Sequence, residues 1–254
     1  MSQSPAMTRG YQLRYSEQHP LTTDEGSRKK KAQKILAILD DALGGRDPKT
    51  LRLLDVGSSA GIILSELAQR FGTVIGVDID DTGLSLAKRY AGENESLVLG
   101  DAMSMPFGDE TFDAVILNHV YEHVPDPVRL VDESWRVVRP DGLVYFAAEN
   151  RFAPIEPHYH LPFLAWFPRE IAHLYLRATG KGDHYYEQLA SLPSLRRLVA
   201  RFAVDDYTMK VITDPSRFAA DDMLGRGSLL SKLPRALLAI LYPFFPTYLW
   251  LLRK

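Results

Sequence analysis

The sequence predicts an α/β protein with a doubly wound, mostly parallel sheet, and two observations carry this prediction. Short apolar runs such as residues 51–56 and 74–78 alternate with helical patterns, which is typical of parallel strands joined by crossover helices. The first run also ends in a small turn from Gly57 to Gly61, which lets a ligand lie against the backbone beside the next helix. Together they indicate a nucleotide-type site at one edge of the sheet.

The elements follow in order along a single domain, residues 23–254, which a flexible N-terminal arm, residues 1–22, precedes. A helix capped by Thr23 or Asp24 is expected to end at Gly44 and Gly45. A turn at Pro140 to Gly142 is expected to lead into the fifth strand. The patterns predict strands at residues 51–56, 74–78, 96–99, 112–118, 143–148, 204–212 and 248–252, and further helices at 62–71, 82–91, 128–138, 195–202 and 229–241.

Composition narrows the class of protein. The formal net charge of -2 gives no general reason to expect nucleic acid as a partner. The chain has no Cys, which excludes disulfides, thiolate nucleophiles and thiolate metal sites. The N-terminus lacks the apolar core of a secretory signal, so we expect a cytoplasmic protein. The uncharged run 236–252 is interpreted as a core helix and the last strand, with an interfacial membrane patch as the alternative.

Four segments carry a family resemblance, in the order LLDVGSSAG, VIGVDID, LGDAMSMPFGDETFDAVILNHVYEHVPDP and RVVRPDGLVYF. They resemble class I S-adenosylmethionine (SAM)-dependent methyltransferases, in particular small-molecule O-methyltransferases related to the ubiquinone-type enzymes. The resemblance runs from about residue 51 to residue 142. It implies a Rossmann-like sheet of seven strands with an antiparallel last strand. Ser59 departs from the family, because a glycine is common there, and we expect a less close approach of the backbone to the ligand.

The resemblance also implies how SAM would be held. Asp55 would contact the methionine part, Asp78 would accept the ribose hydroxyls, and Asp101 would meet the adenine amino group. An acid beside a single tight turn suits a cationic ligand without phosphate, which favours SAM over a nicotinamide cofactor. The complete set of implied cofactor-binding residues is Asp55, Gly57, Ser59, Gly61, Asp78, Ile79, Asp101, Ala102, Met103 and Asn118.

The string NHVYEH offers three candidate metal ligands, His119, Glu122 and His123. On a helical turn they would share one face. In some quinone-pathway relatives the corresponding residues bind a divalent ion, typically magnesium. His119 replaces one expected glutamate, which weakens a magnesium site or favours manganese or zinc. The alternative is that His123 packs and hydrogen-bonds between helix and sheet.

After Glu149 the alternating pattern breaks, and residues 150–195 are predicted to be a substrate-lid insertion rich in aromatics, Pro and His. His158 or His160 is the expected general base, because a neutral imidazole can take a hydroxyl proton near neutral pH. Ordinary hydrogen-bonded lid histidines are the alternative. The basic run 28–31 is interpreted as a solvated helix face, with phosphate or membrane contact as the alternative.

The sequence therefore predicts a SAM-dependent O-methyltransferase acting on a small-molecule or lipid-linked acceptor. A hydroxyl of a sugar, glycolipid or glycan precursor is the first choice, and a quinone or polyketide ring is the alternative. From other classes, a nucleotide-binding oxidoreductase and a non-catalytic partner protein with the same fold stay open. Peripheral membrane contact is a further alternative, and the sequence leaves both a monomer and a homodimer open.

Overall fold

The computed structural model describes residues 12–18, 23–221 and 233–254, and its centre is one seven-stranded sheet. The strands are β1 Arg52–Val56, β2 Thr73–Asp78, β3 Glu95–Leu99, β4 Phe112–Asn118, β5 Val138–Glu149, β6 Ala203–Asp206 and β7 Thr247–Arg253. They lie in the order β3-β2-β1-β4-β5-β7-β6. Strands β1 to β5 pair in parallel, and β7 pairs antiparallel with both β5 and β6. The predicted fold class is confirmed.

The helices cover the sheet at nearly the predicted positions. The helix expected from Asp24 does begin beside that residue, whose side chain accepts from the backbone N–H of Ser27. The α-helices of the described residues are α1 Tyr15–Gln18, α2 Glu25–Ala42, α3 Ile62–Ala68, α4 Asp81–Ala87, α5 Pro127–Val137, α6 Arg169–Thr179, α7 Leu192–Leu198, α8 Thr208–Thr213 and α9 Arg235–Leu241. Short 3-10 helices lie at Pro48–Thr50, Leu164–Trp166 and Tyr242–Phe244.

The central strands are apolar on both faces because helices cover both sides of the sheet. Along β1, Leu54 and Val56 belong to one hydrophobic cluster, whereas the preceding Leu53 belongs to the cluster on the other face. Among the residues that the structure describes, no helix combines the length and the apolar character needed to cross a membrane. The end of the uncharged run is core, since Tyr248 and Trp250 of β7 are buried.

Two predicted elements are wrong. Residues 208–213 form α8 rather than the second half of a strand. The Asp206 carboxylate accepts from the Thr208 N–H at 2.9 Å, which starts the helix, and the buried Tyr207 and Val211 are one helical turn apart. The predicted turn at residues 140–142 lies within β5, where the pairing with β4 shifts its register. At residues 204–212 an apolar alternation alone did not distinguish a strand from a short helix, and at residues 140–142 turn-forming residues occur inside a strand.

Part of the predicted N-terminal arm contacts the domain. Residues 15–18 form α1, and the Ser16 N–H donates to Asp80 Oδ2 at 2.7 Å. This places Tyr15 over the C-terminal edge of the sheet, where it lines the cavity described below. The rest of the arm, residues 1–11 and 19–22, lies outside the described residues, as do residues 229–232 of the predicted C-terminal helix.

The lid insertion, residues 150–195, leaves the sheet at the end of β5 and is closed at its base. The Arg151 N–H donates to the Ala190 carbonyl at 3.1 Å, and Asn150 forms a β-bridge with Ala190. The lid has an apolar core of its own, which is built from Leu161, Leu164, Ala165, Ala172, Leu176 and Tyr185. It therefore stands as a packed unit above the sheet edge.

Candidate active site

A cavity of about 290 Å³ opens at the C-terminal edge of the sheet, between the strand ends, α1, α2 and the lid. Two of the implied cofactor-binding residues, Asp55 and Gly61, instead line a small recess that shares several residues with the cavity. Met103 is buried and lines neither space. The implied residues that line the cavity are Gly57, Ser59, Asp78, Ile79, Asp101, Ala102 and Asn118.

The turn after β1 requires left-handed backbone at three positions. Gly57 and Gly61 both have φ of 72°, and a Cβ at Gly61 would lie 2.6 Å from the Cβ of Ala87. Ser59 has φ of 49° although it is not a glycine. The departure of Ser59 from the family is therefore accommodated by backbone strain at that residue.

We expect Ser59→Gly to stabilise the protein, because glycine adopts this backbone conformation without a steric penalty. The gain should be about 1 kcal/mol, which corresponds to a melting temperature about 2 to 4 °C higher for a chain of this size. Differential scanning fluorimetry measures it. Glu110→Gly is the comparison variant, because Glu110 has φ of 50° in an exposed turn away from the cavity, and it should show the same gain reduced by the loss of its exposed ion pair with Lys254. A lower melting temperature for Ser59→Gly would contradict this account of the turn.

Asp78, at the end of β2, organises the backbone around the turn. Its Oδ2 accepts from the Ser59 N–H at 2.7 Å, and its Oδ1 accepts from the Asp80 N–H at 2.9 Å. Burial raises the pKa of this carboxyl, although these hydrogen bonds oppose the shift. An ionised carboxylate has about four acceptor sites, so both oxygens can still accept from a ligand's hydroxyls. Asp78 is thus suited to the ribose contact that the resemblance implies.

Sequence reasoning missed two cations on α2. Arg28 lines both the cavity and the recess, and Lys31 lines the cavity, so the basic run is only partly a solvated face. Both side chains continue the buried helical stripe through Ala32 and Ile35, and that spacing could have identified them. Burial lowers the pKa of both groups.

Asp55 lies deep beside Arg28. Burial and the charge of Asp78 raise the pKa of Asp55 to about 7, whereas Arg28 acts in the opposite direction. A carboxylate and a guanidinium at one recess can pair with the ammonium and the carboxylate of an amino-acid group. The recess therefore has the charge pattern that the methionine part of SAM requires.

A buried acid–histidine cluster stands at the other side of the cavity. His119 Nδ1 lies 3.5 Å from Glu122 Oε1 and 3.4 Å from Glu149 Oε1, and the ligand atoms of the three residues lie within 4.8 Å of one another. Glu122 is fully buried, and neither of its carboxylate oxygens nor His119 Nδ1 has a hydrogen-bond partner among the described residues. Burial and the charge of Glu149 raise the pKa of Glu122. Burial lowers the pKa of His119 well below its usual value.

The segment that carries this cluster forms turns rather than a helical turn, so the three predicted metal ligands do not share one helix face. His119 has φ of 58°, and its N–H donates to the Ala147 carbonyl of β5 at 3.1 Å. His123 belongs to a second group of ligand atoms with Glu122 and His158, and its Nε2 lies 3.4 Å from the Tyr15 hydroxyl. A residue from another strand, Glu149, is the partner that the local spacing could not reveal.

The two predicted bases have different surroundings. His158 Nδ1 lies 2.9 Å from Glu156 Oε1 and 3.2 Å from Glu149 Oε2. Burial lowers the pKa of His158, but the charge of Glu149 and the hydrogen bond to Glu156 outweigh it and raise the pKa to about 10. The two carboxylates therefore favour the imidazolium form of His158, which argues against its taking a proton. His160 is exposed and also lines the cavity.

Comparison with known proteins identifies the central part of the chain. Residues 54–146 match a family model described as a methyltransferase domain. The chain is 32% identical over 140 residues to a ubiquinone biosynthesis O-methyltransferase of Mesorhizobium japonicum, covering 49% of this chain and 55% of that protein. It is 34% identical over 146 residues to a demethylmenaquinone methyltransferase of Roseiflexus castenholzii, covering 56% and 60%. The match thus spans little more than half the length of these relatives.

Solved structures agree on the fold. A 1,6-didemethyltoxoflavin-N1-methyltransferase from Burkholderia thailandensis, solved with bound 1,6-didemethyltoxoflavin and S-adenosylhomocysteine, has a TM-score of 0.55 at 18% identity. The match covers 98% of this chain and 87% of that one. A methyltransferase from Mesorhizobium loti has a TM-score of 0.53 at 16% identity and covers 80% and 91%. At this identity the likeness concerns the architecture alone.

Proposed function

We propose that this chain, whose residues 54–146 match a methyltransferase domain, transfers the methyl group of SAM to a ring hydroxyl of a quinone-type small molecule. The observation that carries this proposal is one cavity that joins a SAM-type turn to a buried acid–histidine cluster. The names of the relatives favour the ring acceptor over the sugar hydroxyl that the sequence put first.

The cavity wall also suits a planar acceptor. The rings of Tyr15 and His123 have centroids 4.9 Å apart, and those of His123 and His158 are 5.2 Å apart. Val120, Val124 and other apolar groups complete the wall. Flat rings with apolar neighbours favour an aromatic ligand through edge and stacking contacts. A sugar would leave more of its hydroxyls without partners on this surface.

We assign SAM binding to the turn after β1 and to the side chains that surround it. SAM supplies a methyl group on a positively charged sulfur when it is bound. Asp78 holds the ribose hydroxyls, Asp55 and Arg28 pair with the ends of the amino-acid group, and Asn118 lies at the end of β4 beside them. These contacts fix the donor while the lid excludes water.

On the acceptor side, a hydroxyl must lose its proton as it attacks. His160 is assigned as the proton acceptor, since His158 already carries a proton. His158 instead stays fixed between Glu149 and Glu156 and can donate to an acceptor oxygen. Glu156 is buried and accepts four hydrogen bonds, so its role is to position His158.

The cluster also fits a divalent cation. The carboxylates of Glu122 and Glu149 are buried and His119 is partly buried, and each of the three has a ligand atom without a hydrogen-bond partner among the described residues. A cation between them would offset the cost of burying these groups. One imidazole among carboxylates favours manganese over magnesium. A cation there would orient the acceptor oxygen and lower its pKa.

The acceptor class is tested by supplying SAM with either a dihydroxybenzene or a panel of sugars and detecting S-adenosylhomocysteine and the methylated product by mass spectrometry. We expect turnover with the ring acceptor, because its hydroxyl can reach the cluster while its ring packs on the cavity wall. Turnover with sugars alone, or with neither class, would contradict the assignment. An unchanged rate in His160→Ala would remove His160 as the base.

A further inference from the structure

An exposed apolar patch lies on the outer side of the lid and joins the C-terminal helix. Its members are Phe152, Phe163, Trp166, Leu237, Ile240 and Phe244, which we call the aromatic patch. All six side chains are at least 37% exposed, and Ile240 reaches 70%. Soluble proteins expose single apolar side chains commonly, but contiguous patches mark an interaction surface.

Ring contacts show that the patch is contiguous. Trp166 lies 4.9 Å from Phe163 and 5.8 Å from Phe152, measured between ring centroids. It also stacks on Phe244 at 6.5 Å, which connects the lid to the C-terminal segment. Leu237 and Ile240 precede Phe244 at spacings of seven and four residues, so they continue along the same side of α9 and the 3-10 helix after it.

Helix α9 packs one residue into the core of the described part of the chain. Of its seven residues, Leu238 is the buried one, whereas Ala236, Leu237, Ala239 and Ile240 are exposed. A helix whose apolar residues point outward gains no stability from the core. A surface that covers these residues would account for the apolar composition of α9.

The charges around the patch favour an anionic surface. Residues 233–254 contain no Asp or Glu, and Arg235 begins α9 in an exposed position. Residues 151–181 of the lid, which include its three members of the patch, contain the buried Glu156 and the exposed Glu170 against four Lys or Arg. Trp and Phe beside Arg are the residues that settle at the boundary between lipid headgroups and acyl chains.

The patch is connected to the cavity through one loop of the lid. Phe163 N–H donates to the Pro154 carbonyl at 2.8 Å, and Ile155 pairs with Pro162, which closes the base of this loop inside the patch. The tip of the same loop carries His158 and His160, which line the cavity. A surface that binds the patch therefore lies beside the wall of the cavity.

We propose that the aromatic patch docks this protein on an anionic lipid bilayer, with α9 and the lid aromatics at the interface. The apolar patch and the Lys and Arg residues near it each bind a bilayer weakly, and together they hold a peripheral protein on it reversibly. Docking would let an acceptor dissolved in the bilayer reach the cavity without crossing water. This last consequence rests on the proposed function, whereas the docking itself does not.

The test is flotation of the full chain with vesicles of two-thirds phosphatidylcholine and one-third phosphatidylglycerol, without methyl donor or acceptor. We expect the protein to float with these vesicles, and the double variant Trp166→Gln, Ile240→Gln to partition about tenfold less or weaker still. High salt and pure phosphatidylcholine should each reduce the bound fraction. Val128→Gln is the matched control, since Val128 of α5 is 58% exposed and lies outside the patch.

Three results would overturn the proposal. The first is no flotation of the unmodified chain, and the second is equal flotation of the double variant. The third is a homodimer in sedimentation that the double variant converts to monomer, because a second copy would then cover the patch. Unchanged binding of S-adenosylhomocysteine by the double variant shows that it is folded. Methyl transfer is not needed for any of these outcomes, so a failed activity assay and a failed docking test are distinguishable.

Discussion

We expect Asp78→Ala to weaken the binding of S-adenosylhomocysteine by about 100-fold, because hydrogen bonds to a charged group contribute roughly 1.5 to 3 kcal/mol. The change removes the proposed ribose contact. It also removes the acceptor of the Ser59 and Asp80 N–H groups, so the turn itself loses support. Isothermal titration calorimetry measures the affinity.

Two further variants separate these causes. Asp78→Asn keeps an oxygen that can accept from the backbone but loses the charge, so we expect an intermediate affinity. Asp81→Ala is the matched control, because Asp81 is an exposed acid at the start of α4. Equal affinities of the unmodified chain and Asp78→Ala would contradict the assignment of this carboxylate to the cofactor.

The second large effect concerns the difference in stability between Glu122→Gln and the unmodified chain. We expect this difference to change sign when a divalent cation binds. In the cation-free protein we expect the variant to be more stable, because it removes a fully buried carboxylate that repels Glu149. The pKa of Glu122 is raised in the folded state, so its ionisation lowers stability as the pH rises above the ordinary value of a glutamate. The advantage of the variant should therefore grow with pH.

With saturating manganese the order should reverse. The unmodified chain gains stability from the bound ion, about 3 kcal/mol at a hundredfold excess over its dissociation constant, while the variant gains little. Thermal unfolding with and without Mn²⁺ measures the stability difference between the two proteins under both conditions. Glu170→Gln, on the exposed surface of the lid, is the control. An equal manganese-dependent rise in Glu122→Gln would argue against a cation at this cluster. A chelator that leaves methyl transfer unchanged would remove its role in the reaction.

The sequence was informative where the chemistry is local. Gly57 and Asp78 follow directly from strand ends, and a parallel sheet brings such ends to one edge. Asp24, the capping residue of α2, could also be predicted from the sequence, because a cap acts on a backbone N–H within three residues. The seven-stranded sheet followed from the alternation of elements and from the family resemblance.

The site features that the sequence did not predict depend on contacts between distant segments of the chain. Glu149 meets His119 only because β4 and β5 are neighbours, and the pKa of His158 is raised in part by Glu149, which lies at the end of β5. The basic run was misread because Arg28 and Lys31 differ from their neighbours only in the direction they face on α2. Short periodicities also failed at residues 207–213, where a helical spacing and a strand alternation look alike.

The central claim is that the turn after β1 and the end of β2 hold SAM at the edge of the sheet. A crystal structure of the complex with S-adenosylhomocysteine tests it most directly. The account predicts the ribose hydroxyls on Asp78, the amino-acid group between Asp55 and Arg28, and the sulfur directed towards the cluster at His119. A ligand bound elsewhere, or one whose ribose makes no contact with Asp78, would contradict it.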